Sequence, residues 1–231
     1  MEEKAIMKKI SKFKSQNLNF GFKIPMLLLC TLQCLLFTTA YASTAGDVVS
    51  DIQKKFSAIK DVKGTFSQTS YLKDLEKTEK YSGTFYIKKP YAIMWEYKSP
   101  RDEKVFVNDT VTWIYKKAQN QAIKTRFSKE TYSQVPIALL SSLDDLSTNF
   151  DISNADQDHL NLKPKKQMGT IREIIVETSP GSFPVKSLTA IDQYGNIIMI
   201  ELRDIKINSG LEDSLFIFNP PSGVEVFDMS Q

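Results

Sequence analysis

Between Gly83 and Pro100 the chain reads GTFYIKKPYAIMWEYKSP, two strand-like runs joined at a Lys-Lys-Pro corner. Apolar side chains recur at every second position, Phe85 and Ile87 and then Ile93, Trp95 and Tyr97, with Lys89 aligned on the same side. That period of two puts bulky hydrophobes on one face of a β-sheet. Tyr86 and Met94 make the opposite face far from polar as well. A sheet that is apolar on both sides needs two covers, one of them an ordinary core and the other open to a ligand.

The amino terminus carries the pattern of an export signal. Six lysines (Lys4, Lys8, Lys9, Lys12, Lys14 and Lys23) stand against Glu2 and Glu3, an apolar run from Ile24 to Phe37 follows, and Ala40-Tyr41-Ala42 fits a small-x-small cleavage site. Gln33, Thr31, Thr38 and Thr39 interrupt the run, which is short of the roughly 20 apolar residues of a spanning helix. The reading is a signal peptide over 1–42, cleaved after Ala42, and a single domain over 43–231, with Met7 an alternative start. Export into a bacterial periplasm follows.

The leader also accounts for the apparent basicity. It holds six of the 30 basic and two of the 27 acidic side chains, so the remainder carries 24 against 25, net −1, and nothing in it suggests nucleic acid. Cys30 and Cys34 both lie in the leader and neither follows a small residue, so the exported part has no disulfide and no lipid-acceptor cysteine. What remains is 189 residues, enough for one sizeable core.

Along that remainder Val48, Ile52, Phe56 and Ile59 fall at helical spacing behind Thr44-x-x-Asp47, a capping-box pattern. Strands are expected at 64–71, 81–88, 92–97, 104–107 and 111–116, divided by Lys89-Pro90, Ser99-Pro100 and Asn108-Asp109. Their close spacing argues an antiparallel meander. A second helical segment runs from Pro136 through Leu139, Leu143, Leu146 and Phe150, apolar nearly all round at Pro136–Leu140. Strands resume at 160–163, 171–178, 187–193, 197–207 and 215–218, with a hairpin turn at Gln193-Tyr194-Gly195-Asn196. The fold class is mainly β with helices.

Catalytic and metal-binding constellations are sparse. One histidine, His159, sits in a polar connection, and the GxSxG, HExxH and phosphate-loop patterns are missing. Asp151, Asn154, Asp156 and Asp158 lack the glycine and terminal glutamate of a calcium loop. No catalytic residue, metal or cofactor is assigned. Hydrophobic binding remains, set against a plain β core as the other reading of Phe66, Phe85, Ile87, Ile93, Trp95 and Trp113. The helical segment inserted between strands stands where a lid would be placed.

The residues resemble the LolA-type outer-membrane lipoprotein carrier family from about Asp47 to Asp228. The resemblance rests on Gly64-Thr65-Phe66-Ser67-Gln68, on Gly83 to Pro90 with Trp95-Glu96-Tyr97 and Ser99-Pro100, on Asn108-Asp109 before Val111 to Tyr115, and on Phe216 to Val226. It implies a strongly curved, incomplete antiparallel β-barrel with an α-helical lid over its concave hydrophobic face. It further implies a monomeric periplasmic chaperone that is not an enzyme and binds acylated lipoproteins as cargo. An inner-membrane ATP-driven transporter would release that cargo, and an outer-membrane receptor, where one exists, would accept it. By position, Ile93, Trp95, Ile137 and Leu140 would line the cavity, with Phe66, Phe85, Ile87 and Leu143 completing it. Lys89 stands where the family often has an arginine that latches the lid through backbone carbonyls; lysine offers donors without the planar fork. A lipid- or lipoprotein-sensing module, a carrier of another amphiphile and an exported hydrolase are the other readings.

Overall fold

The computed structural model describes residues 44–90, 92–108, 111–126, 140, 143, 146–154, 156 and 158–230. Helix α1 (Ala45–Ser57) starts at Thr44, whose hydroxyl accepts from the Asp47 backbone while Asp47 accepts from the Thr44 backbone, the reciprocal capping box expected from the sequence. Its buried side is Val49, Ile52 and Phe56.

Twelve strands form one sheet: β1 (Asp61–Leu72), β2 (Lys77–Lys88), β3 (Ala92–Ser99), β4 (Glu103–Asn108), β5 (Val111–Lys116), β6 (Gln121–Arg126), β7 (Phe150–Asn154), β8 (His159–Pro164), β9 (Ile171–Thr178), β10 (Val185–Asp192), β11 (Ile197–Ile207) and β12 (Glu225–Met229). The spatial order is β12-β6-β5-β4-β3-β2-β1-β11-β10-β9-β8-β7. Two antiparallel meanders, β1–β6 and β7–β11, are thus joined by pairing of β1 with β11, and β12 adds parallel to β6. The sheet is open and curved, with a short helix α2 (Leu146–Asn149) leading into β7.

Side chains from outside the ladder cover the sheet on each face. On the concave side Leu140 and Leu143, the described residues between β6 and α2, are buried in the core beside Leu146. The arm after β11 returns from the middle of the sheet to the β6 edge across the convex side. There Leu211 and Phe216 pack with Met94 and Phe106, flanked by Tyr86, Trp113 and Phe218.

Several expectations are corrected. Strands β6, β7 and β12 lie outside the strands expected from the sequence; β6 and β12 are short and mostly exposed or half-buried. Phe150, read as the end of the second helix, opens β7. The segment 215–218, read as a strand, holds a single tight turn (Asp213–Phe216) and an extended stretch, because it pairs through side chains with the convex face instead of through a ladder. That arm also supplies the second cover: the outer face of β2–β4 is sheathed by the chain's own arm rather than left open to a ligand. Ile137, Leu139, the pair Asp144 and Asp145, and the leader lie outside the described residues.

Candidate functional site: the concave apolar face

Two Gly-Thr-Phe triplets set up the concave face. In the pairing of β1 with β2, Gly64 stands opposite Phe85, Thr65 opposite Thr84, and Phe66 opposite Gly83. Each phenylalanine therefore faces a glycine across the strands, where no Cβ blocks its ring. A Cβ on Gly83 would come within 1.8 Å of the Glu96 carbonyl oxygen and 2.8 Å of the Phe66 ring. The space left is filled by Trp95 from β3, stacked on Phe66 with centroids 3.7 Å apart and 5.6 Å from Phe85.

The aromatic contacts continue toward one rim. Phe66 meets Tyr97 edge-on at 5.4 Å, and Tyr97 meets Tyr81 at 5.7 Å. Here the face turns polar: the Tyr97 hydroxyl donates to Gln68 Oε1 at 3.0 Å, and Gln68 Nε2 donates to Ser70 Oγ at 2.9 Å. Burial pushes the Tyr97 hydroxyl pKa above its ordinary value, with the Arg101 charge pulling the other way. The Arg101 guanidinium lies 4.3 Å from the centres of both the Tyr81 and Tyr97 rings.

At the other end sits Lys89. Its Nζ donates to the Phe56 carbonyl oxygen at 2.7 Å and stands 4.0 Å from the centre of the Phe56 ring. The carbonyl belongs to the last turn of α1, where a cation also meets the negative end of the helix dipole. The cation thus bonds a backbone carbonyl of the covering helix.

Of the site residues expected from sequence, Phe66, Phe85, Ile87, Ile93, Trp95, Leu140 and Leu143 come together in one buried cluster, and Lys89 borders it. The same cluster includes residues that sequence reasoning left out of the site. Val49, Ile52 and Phe56 of α1 belong to it, as do Leu160, Leu162, Ile174, Val176, Leu188 and Ile200 of the second meander. The alternation of the second meander was the available signal, but it does not say which face meets the first meander. Gln68 and Arg101 had no such signal.

The described members of this cluster are buried together. A crevice of about 330 Å³ opens beside it, between the start of α1 and the α2–β7 corner, with Val49 and Phe150 on its wall and Lys165 among its polar residues. A hollow of about 410 Å³ on the outside of β8–β11 is lined by Glu177, Lys186, Glu201 and Arg203. Lys186 pairs with Glu177 and Arg203 with Glu201, so it reads as solvated surface, and the apolar concave side is the better candidate although the crevice beside it is smaller in volume. His159, on the rim of that hollow, has Nδ1 2.7 Å from Asp156 Oδ1.

Sequence comparison agrees with this architecture. The profile of the family described as outer membrane lipoprotein carrier protein LolA matches residues 57–219. An outer-membrane lipoprotein carrier protein of Pasteurella multocida is 27% identical over 208 residues, covering 89% of this chain and 98% of the relative. One from Neisseria meningitidis serogroup C is 28% identical over 198 residues, covering 84% and 92%. Among solved structures, a DUF1329 family protein from Desulfovibrio piger shares the fold with a TM-score of 0.50 at 13% identity, covering 75% of this chain and 95% of that one. With a profile match over most of its length and carriers aligned nearly end to end, the chain belongs to the LolA family of outer membrane lipoprotein carrier proteins.

Proposed function

We propose that this protein is a periplasmic chaperone that shields the acyl chains of lipoproteins released from the inner membrane and carries them to the outer membrane. The observation that carries the reading is the cover of the concave face. Among the described residues, one face of the twelve-stranded sheet is covered by helix α1 and by Leu140 and Leu143, rather than by a second sheet. Such a cover can be displaced without breaking a ladder hydrogen bond.

The energetics favour the same use. Each methylene kept from water is worth about 0.8 kcal/mol, so a multiply acylated cargo exposed in an aqueous compartment costs tens of kcal/mol. A carrier whose apolar face is already occupied by its own side chains offsets much of that gain, because cargo must displace existing contacts. Net affinity is then modest, and direction is left to an inner-membrane ATP-driven transporter that loads cargo and an outer-membrane receptor that takes it. The work is transfer of a bound ligand, with no covalent step, by a monomer that segment 1–42 directs to the periplasm. Phe66, Phe85, Ile87, Ile93, Trp95, Ile137, Leu140 and Leu143 form the acyl-binding surface, and Lys89 latches α1.

A release assay tests this. Spheroplasts loaded with an acylated lipoprotein are mixed with purified residues 43–231, and the supernatant is examined for soluble cargo migrating with this chain. Soluble complex that disappears when Trp95 and Leu140 are made polar is expected. Cargo that stays in the membrane while the ATP-driven machinery is present overturns the carrier reading in favour of a sensor or another amphiphile.

A further inference from the structure

The concave face is not uniformly apolar, and its polarity is confined to one end. Along β1 the inward side chains read Val62, Gly64, Phe66, then Gln68 and Ser70. Gln68 and Ser70 are buried, and Gln68 is tied to the Tyr97 hydroxyl. Arg101, with 43% of its side chain exposed, closes this end over the rings of Tyr81 and Tyr97 and lies 3.8 Å from Glu103. Burying polar groups at one end of an apolar surface carries a desolvation cost that a core built for stability alone avoids.

Building on the acyl-carrier reading, we propose that Gln68, Tyr97 and Arg101 form a polar subsite for the ester and amide carbonyls at the head of an acylated ligand. The tails then lie along Trp95 and Phe66 toward Phe56, and the rest of the molecule leaves at the Arg101 rim. The chemistry fits. Ester and amide carbonyls accept hydrogen bonds, and this end offers the second N–H of the Gln68 amide, which the Tyr97 hydroxyl and Ser70 hold in place, and a guanidinium with five donors. The length fits as well: from Gln68 to Val62 is six residue steps, about 20 Å at the usual strand rise, and an acyl chain spanning half a bilayer core needs about 15 Å. The subsite orients the ligand, so the two ends of the fold have different tasks: Lys89 holds the helix and Arg101 holds the head.

The test uses the Trp113→Phe form of residues 43–231, in which Trp95 is the one remaining tryptophan, and 16-carbon monoacylglycerols brominated either near the ester or at the chain end. Bromine near the ester is expected to quench Trp95 more strongly, because Trp95 neighbours Tyr97. Arg101→Leu and Gln68→Met should each weaken the ester probe about tenfold and leave binding of hexadecane unchanged. Thermal unfolding of both variants, together with their hexadecane binding, separates loss of the subsite from loss of the fold. Equal quenching from both bromine positions, or variants that weaken hexadecane and ester alike, overturns the subsite while leaving the carrier reading intact. Failure of both probes to reach Trp95 instead sinks the carrier reading on which the subsite rests.

Discussion

Lys89 holds Phe56 twice, donating to its carbonyl oxygen at 2.7 Å and lying 4.0 Å from the centre of its ring. A residue at the corner of β2 and β3 therefore fixes the last turn of the helix that covers the concave face. Replacing it tests whether that helix is latched. Lys89→Leu should cost about 1–3 kcal/mol, from a charge-assisted hydrogen bond and a cation–π contact, and should speed amide exchange in the second half of α1. Lys89→Arg should keep most of the stability, since a guanidinium can bond the same carbonyl. Identical cargo release by both variants would sink the latch.

The glycine opposite Phe66 is fixed by close approach. Gly83→Ala places a methyl group 1.8 Å from the Glu96 oxygen and 2.8 Å from the Phe66 ring, and backbone cannot yield as a side-chain tip does. A loss of about 3 kcal/mol or more is expected, with a change in Trp95 emission as the Phe66 stack is disturbed. Gly46→Ala is the control: its new carbon meets only Thr44 Oγ1, at 3.6 Å, and should stabilise α1 by up to about 1 kcal/mol. Denaturant titration of the two variants decides.

The convex cover is energetically separate from the concave one. Phe216 is buried beside Met94 and Phe106, so Phe216→Ala should cost about 3–5 kcal/mol and raise binding of an apolar dye to the exposed outer face. If dye binding stays flat, the arm does not shield that face.

Asp61 ties the start of the arm to the start of β1. Burial alone pushes its carboxyl pKa up, but hydrogen bonds from the Ser209 backbone and hydroxyl and from the Gly210 and Leu211 backbones outweigh it and hold the pKa below the ordinary value. A depressed carboxylate contributes stability that is present above its unfolded pKa, about 3.9, and lost as pH falls through its lower folded value. The stability gap between the native protein and Asp61→Asn should therefore be constant from pH 8 to pH 5 and shrink below about pH 4. A gap that widens on acidification contradicts the assignment.

Cargo should displace the lid leucines from the aromatic stack. Trp95 and Leu140 share the concave cluster and both are fully buried, so binding of an acylated lipoprotein is expected to shift Trp95 emission in a Trp113→Phe background. An unchanged spectrum argues against acyl chains reaching Trp95.

Local residue types made much of this legible. Alternation at Phe85, Ile87, Ile93, Trp95 and Tyr97 placed them on one face, and all are buried there. Thr44 and Asp47 announced the start of α1, and Gln193 to Asn196 the β10–β11 turn, where Gly195 takes φ of +87°. The weaker elements were hidden. Strand β12 is exposed along its length and owes its conformation to the neighbouring β6, through Asn120, Gln121 and Lys124, so no hydrophobic period marks it. The 215–218 stretch has strand-like composition, but its aromatic partners come from β4 and β5.

The sequence by itself determined that a two-faced apolar sheet exists and which side chains share each face, because a period of two is a property of neighbouring residues. Tertiary structure alone decided what covers those faces. Pairing of β1 with β11 leaves β11 in the middle of the sheet, so the arm after it crosses the convex side, while α1, Leu140 and Leu143 cover the concave one. It likewise decided that Lys89 meets the carbonyl of Phe56 and that Arg101 caps Tyr81 and Tyr97, since such contacts depend on the curvature and register of the whole sheet, which no local window of sequence contains.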